Sequence, residues 1–347
     1  MAEQEIYYIY KNDWPNFLAT MTSLYNVLAP EQGLFDPEYS SIPSEKTERI
    51  VFPGARLTRP LKFFLYPPKE DLLSDPLPQN KKSVILGVKA CDLRAAAILD
   101  HIFLDPDYID PFYKSRRDNI IIISDDCPEP RDCCFCVLVG MNPFPEKGFD
   151  LNLSFLEDGT LVEVGSEKGK DLIRETKINL QQANPEQIKR RNENRQKVIA
   201  ALKEANKDFS FPLDNLPSLL EENYENPEWK EACKTCVSCC ACTNICPSCH
   251  CFLLIQDTGA GDNKKTFEML RSWDSCQSTG FSRVAGGANP KKRLHGRFAN
   301  RFHCKLQYKP RNYSIFACTG CGRCFEACQG KIDVRQVLTL LAKQKVE

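Results

Sequence analysis

Two runs of cysteine in the second half of the chain repeat one spacing. They read Cys236-x2-Cys239-x2-Cys242-x3-Cys246-Pro247 and Cys318-x2-Cys321-x2-Cys324-x3-Cys328. Steps of three let a tight turn aim three thiolates at a common centre. The longer last step starts a helix that carries the fourth thiolate away. This is the bacterial spacing for a pair of cubane [4Fe–4S] clusters, in which the fourth cysteine of each run ligates the other cluster. It assigns Cys236, Cys239, Cys242 and Cys328 to one cluster, and Cys318, Cys321, Cys324 and Cys246 to the second. Paired Cys-x2-Cys motifs also build closed four-thiolate zinc sites, but four cysteines in each half and the Cys246-Pro247 ending belong to the iron–sulfur pattern. Gln329 stands where that pattern has proline. It keeps a backbone N–H and adds an amide, and hydrogen bonds to sulfur help set a cluster's potential.

The chain of 347 residues holds 19 cysteines, five between 91 and 136 and 14 after 232. Met1-Ala2-Glu3-Gln4-Glu5 carries no basic segment leading into an apolar one, and no apolar stretch approaches a membrane helix in length. The expected location is therefore cytoplasmic, where clustered thiols bind metal in preference to forming disulfides. In the first cysteine group, Ser83 to Val88 and Ile120 to Ile123 read as buried strands, with a helix over Asp92 to Ile102 capped by Asp92. Cys91 and Cys127 each lie just past the carboxyl end of one of these strands, where a doubly wound sheet opens a crevice. Cys134-Phe135-Cys136 is a short loop away. Cys91, Cys127, Cys136 and one of Cys133 and Cys134 thus make a third [4Fe–4S] site, with a helix N-terminus to stabilise thiolate charge. The competing readings are inert buried thiols and a reactive thiol at Cys91.

The rest of the pattern sets the fold class. Ile6 to Tyr10 is a short apolar stretch, a helix is expected from Trp14 through Leu28, and Leu61 to Tyr66 reads as a further strand. Phe149 to Phe155 and Leu161 to Val164 alternate around Asp158-Gly159, a hairpin signal. Asn184, Pro185 and Gln187 open a helix with Ile188, Val198, Ile199 and Leu202 among many charges, read as a solvated spacer. The expectation is a mixed α+β or α/β chain: an α/β domain with the third iron–sulfur site over 1–180, a helical linker over 181–229, and over 230–347 an enlarged, helix-rich dicluster ferredoxin-like domain with an insertion at 252–315.

That insertion holds Cys276, and Cys249 and Cys251 flank His250 just before it. These thiols could bind metal with His250, but the preferred reading is small buried hydrophobes beside the clusters. A basic stretch of Lys291, Lys292, Arg293, Arg297, Arg301 and Lys305 reads as a solvated loop or a docking surface. With 46 basic and 46 acidic residues, the chain is not an electrostatic nucleic-acid binder. Gly259-x-Gly261 and Gly320-x-Gly322 are not phosphate fingerprints, so a flavin or nicotinamide would have to be held by another subunit.

Over most of its length the sequence resembles the iron–sulfur β subunit family of cytoplasmic sulfhydrogenases, which are NAD(P)-linked NiFe hydrogenases, and the related iron–sulfur subunit of anaerobic sulfite reductase. The resemblance rests on Arg59-Pro60-Leu61-Lys62-Phe63-Phe64 with Pro67-Pro68, on Gly87-Val88-Lys89-Ala90-Cys91-Asp92-Leu93, and on Cys134-Phe135-Cys136 with Gly140. Cys246-Pro247-Ser248-Cys249-His250-Cys251-Phe252, Trp273 to Cys276, Ala285-Gly286-Gly287 and Gly320-Cys321-Gly322-Arg323-Cys324 complete it. It implies an electron-wire subunit of an anaerobic oxidoreductase complex. One partner would be an FAD-containing NAD(P)H oxidoreductase subunit. The other would be a terminal catalytic module of hydrogenase, sulfite reductase or heterodisulfide reductase type. It favours Cys134 over Cys133 as a ligand, and leaves Cys133, Cys233, Cys240 and Cys304 outside the pattern. Two other readings compete: an iron–sulfur or flavin reductase acting directly on substrate, and a zinc-bound interaction module.

Overall fold

Apolar runs without polar alternation mark strands covered on both faces, and the computed structural model, which describes residues 5–34, 36–73, 82–258 and 267–343, places them at the centre of a large sheet. The chain opens with β1 (Ile6–Tyr10), α1 (Trp14–Leu24), β2 (Asn26–Gln32) and β3 (Pro37–Ser41). Next come α2 (Lys62–Leu65), β4 (Lys69–Asp71), β5 (Ser83–Val88), α3 (Ala90–Phe103), α4 (Pro111–Asn119) and β6 (Ile120–Asp125). The hairpin of β7 (Leu151–Phe155) and β8 (Gly159–Val164) follows, then α5 (Glu167–Thr176) and β9 (Gln181–Gln182). The eight strands run in the order β3-β2-β5-β6-β7-β8-β1-β9. The central β2, β5, β6 and β7 are parallel. Val84, Leu86, Ile121 and Ile123 enter one core, and Ile85, Val88, Ile120 and Ile122 the other. This is the period of two that puts alternate side chains on opposite faces, broken in β5 by a register shift between Leu86 and Val88.

Three sequence expectations are corrected here. Leu61 to Tyr66 is not a strand: α2 spaces Leu61 and Leu65 four apart, so both enter the second core together with Tyr66. The first helix stops at Leu24, where Tyr25 turns extended, and Val27 and Ala29 then alternate into the core as part of β2. Helix α3 starts at Ala90 with Lys89 as its N-cap, and the Asp92 carboxylate is taken by Arg323 instead of capping.

The long helix α6 (Pro185–Ala205) has the reciprocal Asn184–Gln187 capping box expected of its first turn. It is more than a solvated spacer. Arg191 and Arg195 reach Glu163, Arg195 also pairs with Asp126, and Leu202 packs on Cys134 and Cys136. After α7 (Leu216–Glu222), α8 (Glu228–Ala232) and α9 (Ala241–Asn244), the hairpin of β10 (Phe252–Thr258) and β11 (Phe267–Trp273) pairs with β4 in a second, three-stranded sheet. Helix α10 (Leu294–His303) runs through a π turn at Cys304–Tyr308 into α11 (Lys309–Tyr313), and α12 (Arg323–Glu326) and α13 (Val334–Lys343) close the chain. Phe135 and Val139 pack with Trp229, Phe298, Phe302 and Leu338, so the first cysteine group shares a core with the C-terminal helices. No described helix is long and apolar enough to cross a membrane. Met1 to Gln4, Gly259 and Gly261 lie outside the described residues.

Candidate metal centres

The crossover from β5 through α3 and α4 to parallel β6 sets the two strand ends side by side. Cys91 and Cys127 leave these ends and line one cavity with Cys134 and Cys136. Cys133 does not line it. Its thiol lies 3.4 Å from Arg56 Nη2 and 3.3 Å from a Glu326 carboxylate oxygen, and it interacts with the neighbouring Cys134 thiol. Two anchors hold the Cys134 loop: Asn206 donates to the Cys134 carbonyl at 2.9 Å, and Arg335 donates to the Asp132 carbonyl at 3.1 Å.

Cys321 lies on the wall of the same cavity. The contact is a backbone one: Phe135 N–H donates to the Gly320 carbonyl at 2.7 Å, and the Cys134 thiol lies 3.8 Å from the Cys321 carbonyl. Gly320 and Gly322 both have positive φ, and a Cβ on either would come within 2.6 Å of the Cys133–Cys136 segment. Arg323 then locks the two cysteine sites together. It donates to both Asp92 carboxylate oxygens, at 2.9 and 2.8 Å, and twice to the Leu57 carbonyl, with Arg323 and Asp92 fully buried.

The two ferredoxin-type runs form matching loops, each ending in a one-turn helix, α9 after Cys240 and α12 after Gly322, and these helices pack together. Cys246 and Cys321 interact, as do Cys318 with Cys321 and Cys324. Cys242 neighbours Cys324 of the second run and Cys236 of its own. The turn after Cys328 returns to the start of the first run, where Thr235 Oγ1 donates to the Gly330 carbonyl at 2.8 Å. Gln329 is exposed, and the hydrogen bond to the Cys328 sulfur comes from the Ile332 N–H at 3.4 Å.

The charges around these thiols test whether an anionic cluster fits. Arg301 and Lys305 are buried beside them with no carboxylate in ion-pair reach among the described residues. Lys305 Nζ lies 3.1 Å from Cys246 Sγ and 2.9 Å from Ser248 Oγ, and Arg301 Nε has no partner. Arg56 pairs with Glu326 at 2.8 Å, yet its Nε and Nη1 are also buried without partners. A buried unpaired cation costs several kcal/mol, so Arg301 and Lys305 demand negative charge from the cysteines, and Arg56 has two buried donors left over from its Glu326 pair. Burial, with neighbouring thiols adding to it, pushes the Cys127, Cys136 and Cys242 thiols up, to about 11, about 12 and about 11. Metal coordination is what turns buried thiols into thiolates. Two matching loops of thiols beside buried cations are a donor set that fits anionic iron–sulfur clusters.

Sequence reasoning missed these cations. Arg297, Arg301 and Lys305 were expected on a solvated loop or docking surface, but all three are buried. Their spacing of four puts them on one helical face beside Phe298, Phe302 and Leu306, and that periodicity was the available signal. Arg56 carried no signal. Cys304 was outside every motif, yet it lies near Cys251 and Cys276.

A model of the 4Fe-4S dicluster domain matches residues 235–332. Together with the paired loops, this defines the molecule as an iron–sulfur electron-transfer protein. The chain is 34% identical to sulfhydrogenase 2 subunit beta of Pyrococcus furiosus over 259 residues, 74% of this chain and 73% of that protein. It belongs to the iron–sulfur family of sulfhydrogenase beta subunits.

Proposed function

We propose that this chain is a three-cluster relay in a hydrogenase-type complex, carrying electrons between two partner subunits, an FAD-containing NAD(P)H oxidoreductase and a terminal catalytic one. The observation that carries the reading is the Cys321 wall of the Cys91, Cys127, Cys134 and Cys136 cavity: two cysteine sites from distant parts of the sequence adjoin across one backbone contact. In this reading Cys91, Cys127, Cys134 and Cys136 hold one [4Fe–4S] cluster. Cys318, Cys321, Cys324 and Cys246 hold the next, and Cys236, Cys239, Cys242 and Cys328 the last. Such clusters supply one-electron steps whose potentials follow burial, charge and hydrogen bonds to sulfur.

The chain's own residues do the rest. Arg323 and Asp92 fix the relative position of the first two sites, while Arg56, Arg301 and Lys305 offset thiolate charge and favour the reduced state. The Ile332 N–H and Lys305 Nζ donate to ligand sulfurs. Residues 1–180, 181–229 and 230–347 are proposed as the α/β, linking and dicluster parts. The test uses the complex purified with its partners. Cys91→Ser should abolish NAD(P)H-linked hydrogen turnover while NAD(P)H and hydrogen each still reduce a dye. Full turnover in that variant would remove the relay.

A further inference from the structure

We propose that Cys249, Cys251, Cys276 and Cys304 form the ligand set of a further [4Fe–4S] cluster, outside the two ferredoxin runs and the N-terminal cavity. The proposal rests on the reading that this chain is loaded with iron–sulfur clusters. The fold brings the four thiols together from three segments. β10 and β11 pair antiparallel with Phe252 opposite Trp273, and the Asp274 N–H donates to the Cys251 carbonyl at 2.9 Å. The turn beyond β11 therefore carries Cys276 alongside Cys249-His250-Cys251, and Thr243 Oγ1 meets Ser275 Oγ at 2.6 Å to pin it. Cys304 opens the π turn that continues α10, and π turns of this kind recur at functional sites. Cys251, Cys276 and Cys304 all lie in one another's electrostatic reach, and the Cys249 thiol, which sits against Cys246 of the first ferredoxin run, also lies within reach of Cys276.

The surroundings separate a ligand set from inert packing. Thiols that merely fill space sit among apolar side chains, but these sit among lysines. Lys305 acts on Cys249 and Cys304, and Lys309 acts on Cys304, Cys251 and Cys249. Lys62 is buried with its ammonium 3.5 Å from the Trp273 ring centre, and donates to the Cys249 carbonyl at 3.3 Å. Asp274, the carboxylate beside Cys251, is engaged by the Ser275 N–H at 2.6 Å. Lys62 and Lys309, with Lys305 shared with Cys246, supply positive charge that complements an anionic thiolate cluster.

Iron, acid-labile sulfide and zinc should be counted in the full chain purified without oxygen, as wild type, Cys276→Ser and Cys304→Ser. The expected result is about 16 irons per chain, four clusters of four, falling to about 12 in either variant with the other clusters' EPR signals retained. About 12 irons in the wild type, unchanged in both variants, would overturn the proposal while leaving the three-cluster reading intact. About one zinc per chain, lost in Cys276→Ser, would overturn it also. Should Cys276→Ser fail to fold, the wild-type count and Cys304→Ser still decide. A chain without any iron removes the parent reading and not this site alone.

Discussion

Ser238 and Cys240 in the first cysteine loop take the left-handed backbone, φ +53° and +61°, that Gly320 and Gly322 take in the second at +63° and +70°. The backbones match, but the surroundings do not. In the second loop a Cβ at Gly320 would stand 2.5 Å from Cys136 N, and one at Gly322 would stand 2.4 Å from the Cys133 carbonyl oxygen. In the first loop Val237 and Cys239 are exposed. Glycine in the second loop is thus demanded twice, by φ and by the segment packed against it. The first loop bears its left-handed strain with ordinary side chains because one flank is open. The difference shows which loop is built into the molecule and which faces outward, where a partner can approach.

Arg323 in the second loop corresponds to Ala241 in the first, and this pair gives the largest expected contrast. Arg323→Ala strips a buried carboxylate of its partner and should cost about 3–5 kcal/mol. Anaerobic denaturant unfolding should show it, together with iron loss from both the Cys91 and Cys321 sites. Ala241→Gly should cost only about 1 kcal/mol. Next in size, Gly320→Ala should destabilise by roughly 1–3 kcal/mol from strain with the Cys136 clash added. Ser238→Gly should instead be neutral or slightly stabilising, because it relieves a left-handed non-glycine residue. Equal effects of the two substitutions in a thermal melt would erase the contrast between the loops.

The crossed fourth ligands sharpen the same comparison. Cys246→Ser should perturb the EPR signal of the second loop's cluster, and Cys328→Ser that of the first. The reverse pattern would mean that each run closes on its own cluster. The smallest effect is expected from Arg56→Gln, which removes a positive charge between the Cys134 loop and Cys321. It should lower reduction potentials in a redox titration while leaving iron content unchanged.

The dicluster domain over residues 235–332 was legible in the cysteine spacing, because cluster geometry forces ligands into fixed steps along the chain. The buried parallel strands were legible for a similar reason: Ile120 to Ile123 have no polar face to offer water. Leu61 to Tyr66 misled because a short apolar run reads the same as strand or helix until its packing is known. The basic stretch misled because Arg301 and Lys305 are stabilised by thiols far off in sequence. Arg56, Arg323 and Asp92 likewise act through contacts across the chain, and no local pattern marks them.

The Cys91, Cys127, Cys134 and Cys136 cavity adjoins Cys321, and two clusters held there would sit within magnetic reach of each other. EPR of the fully reduced chain, compared between wild type and Cys91→Ser, tests it most directly. Neighbouring paramagnetic clusters should give a spin-coupled, broadened spectrum in the wild type that narrows in Cys91→Ser as one interacting cluster is lost. A wild-type spectrum of isolated, uncoupled signals that Cys91→Ser leaves unchanged would contradict the account.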